Sequence, residues 1–340
     1  MFNKLYDKVK EIFLKNYRFL IFLVAIIILF TIKFPYTIDA PGGYINVTKR
    51  IKIDNAYKSS GSFNMAYVSE VSATIPTLFY AWLNPNWDIS KNEDILLENE
   101  TVEDLLFRNK LALKEANNNA TIVAYTKAGC SYSIINQELY VAYIDKEADT
   151  TLEVGDLIVN IDDKNVTSKA DISEILASKK NGDQIKFKVL HDDKEYERVA
   201  YIKEINGEDI IGIIIYEILE LETNPSIEIK TESSESGPSG GLMTSLAIYN
   251  SLVEEDITNG EIIIGTGTID AKGNVGSIGG VKYKLLGAVR GKAKIFIVPN
   301  GENYLEAINL KNKNDYDIEI VGVSTFDEAL EFLENYNKNS

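Results

Sequence analysis

The 340-residue chain has one cysteine, Cys130, and one histidine, His191. A single thiol excludes an intramolecular disulfide and a thiolate metal cluster. With one imidazole, a zinc site would draw on carboxylates almost alone, so no metal and no other cofactor is expected. A Ser-His-Asp arrangement could use only His191, which lies between Leu190 and the charged run Asp192-Asp193-Lys194-Glu195, a stretch that reads as a hairpin turn. Basic residues are also in deficit: 35 lysines and arginines against 51 aspartates and glutamates give a net charge of −16. That balance argues against nucleic acid as a partner, because binding phosphates needs a basic face. The sequence contains no Gly-x-x-x-x-Gly-Lys-Ser/Thr run, so nothing in it binds ATP by that device.

One long apolar run is present, near the N-terminus. Residues 19–32 carry no charge and lie between Arg18 and Lys33. Widened to residues 17–36, the segment has 20 residues, about 30 Å as a helix, with a tyrosine at each end to suit the membrane interfaces. Lys4, Lys8, Lys10, Lys15 and Arg18 outnumber Asp7 and Glu11, which keeps the short tail cytoplasmic. Lys33-Phe34-Pro35-Tyr36-Thr37 offers no small-residue cleavage pattern. The expectation is an uncleaved single-pass anchor in the cell membrane, with the body of the protein extracytoplasmic.

The chemistry-bearing signal is Glu235-Ser236-Gly237-Pro238-Ser239-Gly240-Gly241-Leu242-Met243. Small residues crowd Ser239 at the start of what reads as a helix from Leu242 to Leu252, a setting that exposes a hydroxyl beside free backbone N–H groups. Taken alone, such a run is most often a flexible loop, and Glu235 and Ser236 read as solvated. As a nucleophile Ser239 needs a base, and with His191 in a turn a lysine leads. A lysine amine ordinarily titrates near about 10.4, and lowering it three units takes about 4 kcal/mol from burial or a neighbouring cation. The base therefore belongs in an apolar, glycine-rich frame. Ile262-Ile263-Ile264-Gly265-Thr266-Gly267-Thr268-Ile269-Asp270 reads as a strand, Gly273-Asn274-Val275-Gly276 as a turn, and a helix begins near Val281. On that helix Val281, Leu285 and Ala288 share a face; Lys284 lies three positions from Val281 and four from Ala288, and Lys282 points elsewhere.

Three blocks in this order, Gly237-Pro238-Ser239-Gly240-Gly241, Gly265-Thr266-Gly267 and Gly279-Gly280-Val281-Lys282-Tyr283-Lys284-Leu285-Leu286, resemble the proteolytic domain of Lon-type serine proteases. Ile295-Phe296-Ile297-Val298-Pro299 continues the pattern as the strand after the lysine helix. The fuller run through Asp270 and Gly273-Asn274-Val275-Gly276 looks closest to the membrane-anchored, PDZ-containing Lon-like proteases of Gram-positive bacteria. The resemblance implies Ser239 as nucleophile, Lys284 as base, and Thr266 as a threonine that hydrogen-bonds the lysine, with Gly237 and Pro238 supporting the site. Backbone N–H groups around Gly237 to Ser239 are the expected oxyanion donors. The sequence departs from the family at Gly240, where the usual motif has alanine.

Between Cys130 and about Ile205 the pattern changes. Tyr140-Val141-Ala142-Tyr143-Ile144 and the run from Leu152 through Gly155-Asp156 to Val166 resemble a PDZ domain. The stretch from Ser168 to Ala177 would be its groove helix, and a closing hairpin would turn around His191. Such folds accept a peptide as an added strand. Upstream, Thr101-Val102-Glu103-Asp104 reads as a helix start with a capping-box pattern. Ala40-Pro41-Gly42-Gly43 reads as a turn, and Asn117-Asn118-Asn119 weakens the helix it falls in.

The expected architecture is α+β: a cytoplasmic tail 1–16, a transmembrane helix 17–36, an N-terminal segment of the protease fold 37–129, a PDZ-like domain 130–205 and a Lon-like catalytic domain 206–340. The implied function is an ATP-independent, membrane-anchored serine endopeptidase acting on peptides or flexible segments of exported or membrane proteins. The competing class is a catalytically inactive PDZ-containing envelope adaptor, against which Ser239, Lys284 and Thr266 are all present. Lon-type domains often form rings, which leaves an oligomer open, although the sequence carries no oligomerisation signature.

Overall fold

Ile262-Ile263-Ile264-Gly265 is apolar without alternation, the pattern of a parallel strand covered on both faces. In the structure, a computed structural model that describes residues 2–205 and 207–336, this run is the strand Ile262–Gly265. It pairs in parallel with Ser62–Ser72 on one side and Ile295–Pro299 on the other, and Ile295–Pro299 pairs with Glu319–Val323. Ile263, Ile295 and Ile297 turn to one face, where Leu242, Met243 and Leu246 of the helix Gly241–Leu252 pack beside Val123 and Tyr125. Ile264, Phe296 and Val298 turn to the other, against Val281, Leu285 and Ala288 of the helix Val281–Arg290. These sheet side chains are fully buried, each contributing on the order of 1.5–3 kcal/mol. The serine-bearing and lysine-bearing segments thus lie on opposite faces of one short strand.

Thr101 does cap a helix, Val102–Ala128, by accepting from the Asp104 N–H while the Asp104 carboxylate accepts from the Thr101 N–H. The helix runs unbroken through the three asparagines because tertiary bonds compensate their low propensity. Asn118 donates to the Leu219 carbonyl at 2.9 Å and accepts from its N–H at 3.1 Å, and Asn119 donates to the Ile269 carbonyl at 3.1 Å.

After Gly129 the chain enters a second sheet. Its order is Ile213–Asn224, Ser131–Ile144, Leu157–Ile161, Gln184–His191, Lys194–Tyr201, Asp149–Thr150. Leu139, Val141, Ile158, Ile161, Phe187 and Val189 form its core with Ile172 of the helix Lys169–Leu176. Ser168 and Asp171 make that helix's capping box, and the hairpin Gln184–His191/Lys194–Tyr201 turns at Asp192 and Asp193, both at positive φ. This sheet reaches past residue 205. Ile213–Asn224 pairs with Ser131–Ile144 over its whole length, from Ile213 opposite Ile144 to Asn224 opposite Ser131. The expected segment 130–205 therefore leaves out one strand of this sheet, because pairing with a strand distant in the chain leaves no local mark.

The second sheet and the strands Ile262–Gly265, Ile295–Pro299 and Glu319–Val323 belong to one compact unit, Gly42–Val68 with Leu96 onward; the residues up to Pro41 and Ser69–Ile95 form another. The expected segment 37–129 is thus divided, with 69–95 grouping with the N-terminal helix. That helix, Phe2–Thr31, contains an apolar stretch Phe13–Thr31 of mean hydropathy 2.1. It stops at Thr31 rather than reaching Tyr36: Pro35 disfavours helix at Phe34, whose N–H bonds the Ala73 carbonyl, and Tyr36 opens the strand Tyr36–Asn46. Ala40-Pro41-Gly42-Gly43 lies inside that strand, where burial of alternate residues Ile38 and Ala40 overrides its turn-like composition.

Entry to the central strands is held by Asp256. Its carboxylate accepts from the Ser60 N–H at 2.5 Å and hydroxyl at 2.6 Å, and from the Thr258 N–H at 3.0 Å and hydroxyl at 2.7 Å. Partial burial alone would push its pKa up, but these hydrogen bonds outweigh burial and hold the carboxyl well below the usual range. A depressed folded-state value means stability that is present above the unfolded value of about 3.9 and lost as pH falls through the folded one. Asp256→Asn is expected to cost on the order of 1–3 kcal/mol near neutral pH. In urea unfolding of the solubilised chain, the gap from wild type should shrink as pH drops below about 4.

Candidate active site

Ser239 lies two residues before the first turn of the helix Gly241–Leu252, whose Leu242, Met243, Leu246 and Ile248 are fully buried. The helix is anchored in the core, and the half-buried serine stands at its N-terminal end, where the positive end of the helix dipole favours developing negative charge. The turn around it is tied on both sides. The Gly237 N–H donates to the Asn109 carbonyl at 2.8 Å, and the Gly241 N–H to the Pro238 carbonyl at 3.1 Å. The Ser239 carbonyl accepts two bonds, from the Gly267 N–H at 2.8 Å and from the Thr266 hydroxyl at 3.0 Å. The Leu242 N–H returns to the Gly267 carbonyl at 3.0 Å.

Two sequence expectations change here. Gly237 cannot offer its N–H to an oxyanion, since Asn109 takes it, and Pro238 has none; of the three residues named, only the Ser239 N–H remains. Gly237 instead supplies a conformation, φ +85°, that a side chain would strain. Glu235, read as solvated, is 12% exposed in its side chain and paired with Arg50, which also binds Glu232 at 3.0 Å. The Lys230 N–H reaches the Arg50 carbonyl at 2.9 Å, so Arg50 fixes the chain that leads into the serine turn. Asn109 and Arg50 had no sequence signal, one acting through its carbonyl and the other from 185 residues away.

Thr266 is fully buried just beyond the strand Ile262–Gly265, with its N–H on the Ile297 carbonyl at 2.9 Å. Lys284 is 4% exposed, on the helix Val281–Arg290 between buried Tyr283 and Leu285. No other lysine among the described residues is so deeply buried. Lys282 is half-buried over the Tyr283 ring at 5.3 Å, whereas Lys272 is exposed. A cavity of about 340 Å³ opens beside Pro238, walled by Ala112, Ala116, Tyr216, Ile269 and Val275.

His191 lies in the other sheet. Its Nδ1 is 2.8 Å from the fully buried Asp156 carboxylate, which also accepts the Glu153 N–H at 2.8 Å. Glu153, Asp156 and His191 are spaced closely enough to hold a metal ion, but the Arg198 guanidinium already sits among them, 2.9 Å from Glu153 and 3.4 Å from Asp156. That cation neutralises the pair and opposes a second positive charge.

Residues 231–334 match the family described as the Lon protease C-terminal proteolytic domain, and residues 116–198 match the PDZ domain family. The Lon protease of Neorickettsia sennetsu is 38% identical over 101 residues, 29% of this chain and 12% of that protein. That of Campylobacter jejuni is 32% identical over 96 residues, 28% of this chain and 12% of that protein. The matched segment thus spans about an eighth of these relatives. Among solved structures, the PDZ domain of an SdrC-like protein from Listeria monocytogenes is 30% identical, covering 23% of this chain and 85% of that one, with a TM-score of 0.21. Its Listeria innocua counterpart is also 30% identical, covering 23% and 92%, with a TM-score of 0.22. The chain carries a PDZ domain and a Lon-type proteolytic domain, and the latter supports a serine peptidase.

The structure accounts for glycine at position 240. A Cβ there would meet the Met65 sulfur at 2.5 Å, so the methionine fills the room an alanine would take. Gly240→Ala is expected to destabilise, and Met65→Ala to relieve it, with a coupling of about 0.5–3 kcal/mol in a double-mutant cycle. Gly265→Ala is the contrast: its Cβ would also meet the Ile297 carbonyl at 2.7 Å, so shortening Met243, the nearest side chain, should not rescue it. Denaturant unfolding of the single and double variants checks both.

Proposed function

We propose that the chain, with its PDZ and Lon-type proteolytic domains, is a membrane-anchored serine endopeptidase that works through Ser239 and Lys284 without ATP. The observation that carries this is the burial of Lys284 within the Lon-type segment, behind the same strand whose end holds Ser239. Burial disfavours the charged ammonium relative to the neutral amine, which is what a general base requires. The amine takes the Ser239 hydroxyl proton as Oγ attacks the scissile carbonyl. The Ser239 N–H and the helix terminus receive the oxyanion. The resulting ammonium gives its proton to the leaving amine, leaving an acyl-enzyme. Water, deprotonated by the same lysine, then releases the product acid and restores the hydroxyl. Thr266 spends its proton on the Ser239 carbonyl and keeps lone pairs for an N–H of Lys284.

The cavity beside Pro238 suits a substrate side chain. Its Tyr216 wall comes from the strand Ile213–Asn224 of the PDZ sheet, so substrate selection and cleavage share a boundary. With no nucleotide-binding loop in these residues, the substrates are peptides or segments already flexible. Phe13–Thr31 is the anchor, with the catalytic part extracytoplasmic.

Ser239→Ala is expected to abolish peptide cleavage and labelling by a fluorophosphonate, a loss of roughly 10⁴-fold or more, with folding intact. Lys284→Ala should be as damaging and Lys282→Ala mild. Cleavage of a casein-like substrate at the wild-type rate by Ser239→Ala would overturn Ser239 as the nucleophile, absence of labelling and cleavage in the wild type would favour the adaptor reading, and an inactive Lys282→Ala beside an active Lys284→Ala would reverse the base assignment.

A further inference from the structure

The helix Ile75–Leu83 is apolar on two sides. Leu78 and Ala81 face a small core with Ile38, Ala73 and Trp87. Ile75, Phe79, Trp82 and Leu83 fall at i, i+4, i+7 and i+8, a continuous stripe on the other side. That stripe is open: Trp82 is 76% exposed, Phe79 61% and Leu83 59%. Tyr80 adjoins it, edge-on to Trp87 at 4.5 Å. No charged residue occurs from Ala73 through Trp87. Scattered exposed apolar side chains are ordinary, but an uncharged aromatic stripe marks a surface with a partner.

The chain fixes where this stripe lies. The Phe34 N–H donates to the Ala73 carbonyl at 2.8 Å, and the Ala73 N–H donates to the Tyr36 carbonyl at 3.0 Å. Ala73 immediately precedes Thr74, the helix N-cap. The start of the helix is therefore tied to backbone only three residues beyond Thr31, where Phe2–Thr31 ends, a span of at most about 11 Å. The headgroup layer on either side of a bilayer's hydrocarbon core is about 5–8 Å thick.

We propose that Ile75–Leu83 is an interfacial helix, lying in the lipid surface with Phe79, Trp82 and Leu83 among the headgroups and upper acyl chains; this rests on the reading of Phe13–Thr31 as a membrane span. Tryptophan, tyrosine and phenylalanine favour that layer because an apolar ring sinks while a polar edge stays wet. A surface helix of this kind buries its apolar face about 5–10 Å deep. A lone spanning helix is free to rotate about its axis; a second, lateral contact removes that freedom and fixes which side of this unit faces the lipid.

Trp82 and Trp87 are the only tryptophans in the chain, so intrinsic fluorescence reads this segment directly. The full chain carrying Trp87→Phe would be reconstituted into phosphatidylcholine vesicles whose lipids are brominated either near the headgroup end or near the methyl end of the acyl chain. Flotation after a carbonate wash, measured on the same sample, tests the span independently. The expected result is a floating protein whose Trp82 emission is lost to shallow bromines more than to deep ones and is shielded from iodide. A floating protein with Trp82 quenched by iodide but not by bromines overturns the interfacial helix while leaving the span intact. Shielding from both quenchers overturns it in favour of a protein partner, such as a second copy. Failure to float removes the span itself, and the interfacial helix with it.

Discussion

A carbonyl that accepts two hydrogen bonds from neighbouring residues is fixed in direction as well as position. The Ser239 carbonyl is held in this way by the Gly267 N–H and the Thr266 hydroxyl. Both donors sit at the end of the strand Ile262–Gly265, so the serine turn takes its coordinates from a strand whose Ile263, Ile264 and Gly265 are buried. The helix that follows the serine packs on one face of that strand, and the helix bearing Lys284 packs on the other. Pre-organisation of this kind is what the proposed nucleophile and base, carried on separate elements, would require, since small misplacement of either is costly.

What could be read locally was largely what is decided locally. The capping box at Thr101, the helix that follows Ser168, the hairpin at Asp192-Asp193 and the helix after Ser239 all have their determinants within a few residues. The short apolar runs of the central sheet were legible for the same reason, because a strand covered on both faces needs no polar alternation. The serine and lysine blocks were legible by residue type and order, although nothing in them showed that Thr266 would touch the Ser239 main chain. What escaped was decided at a distance. Asn118 completes a helix by satisfying the Leu219 peptide group, Glu235 is drawn partly out of solvent by its pairing with Arg50, and Ile213–Asn224 joins the PDZ sheet through a ladder. Each places a residue against propensity or against the expected boundary, and each depends on a partner outside any sequence window.

The two domains are more closely joined than two matches along a sequence would imply. The strand Ile213–Asn224 belongs to the PDZ sheet, yet Asn118 of the long helix engages its Leu219 and its Tyr216 walls the cavity beside Pro238. Lys169, at the first position of the PDZ helix, pairs with Glu115 of the long helix at 3.0 Å and lies over the Tyr216 ring at 5.6 Å. A change in how the PDZ sheet is occupied would therefore meet the catalytic part through packed side chains rather than through a loose tether.

The ladder that begins at Ser131 opposite Asn224 has a further consequence, for the history of the chain rather than its chemistry. Residues facing each other across an antiparallel ladder are about 4.5–5.5 Å apart, so the protease fold meets its ninety-residue excursion as a gap that a tight turn could close. The entropy of closing a loop grows only with the logarithm of its length, at roughly 0.6 kcal/mol per doubling. From the host's side, the long excursion and a short hairpin would differ by only a few kcal/mol. A junction with that property lets a module be acquired, exchanged or lost without a new core being invented each time.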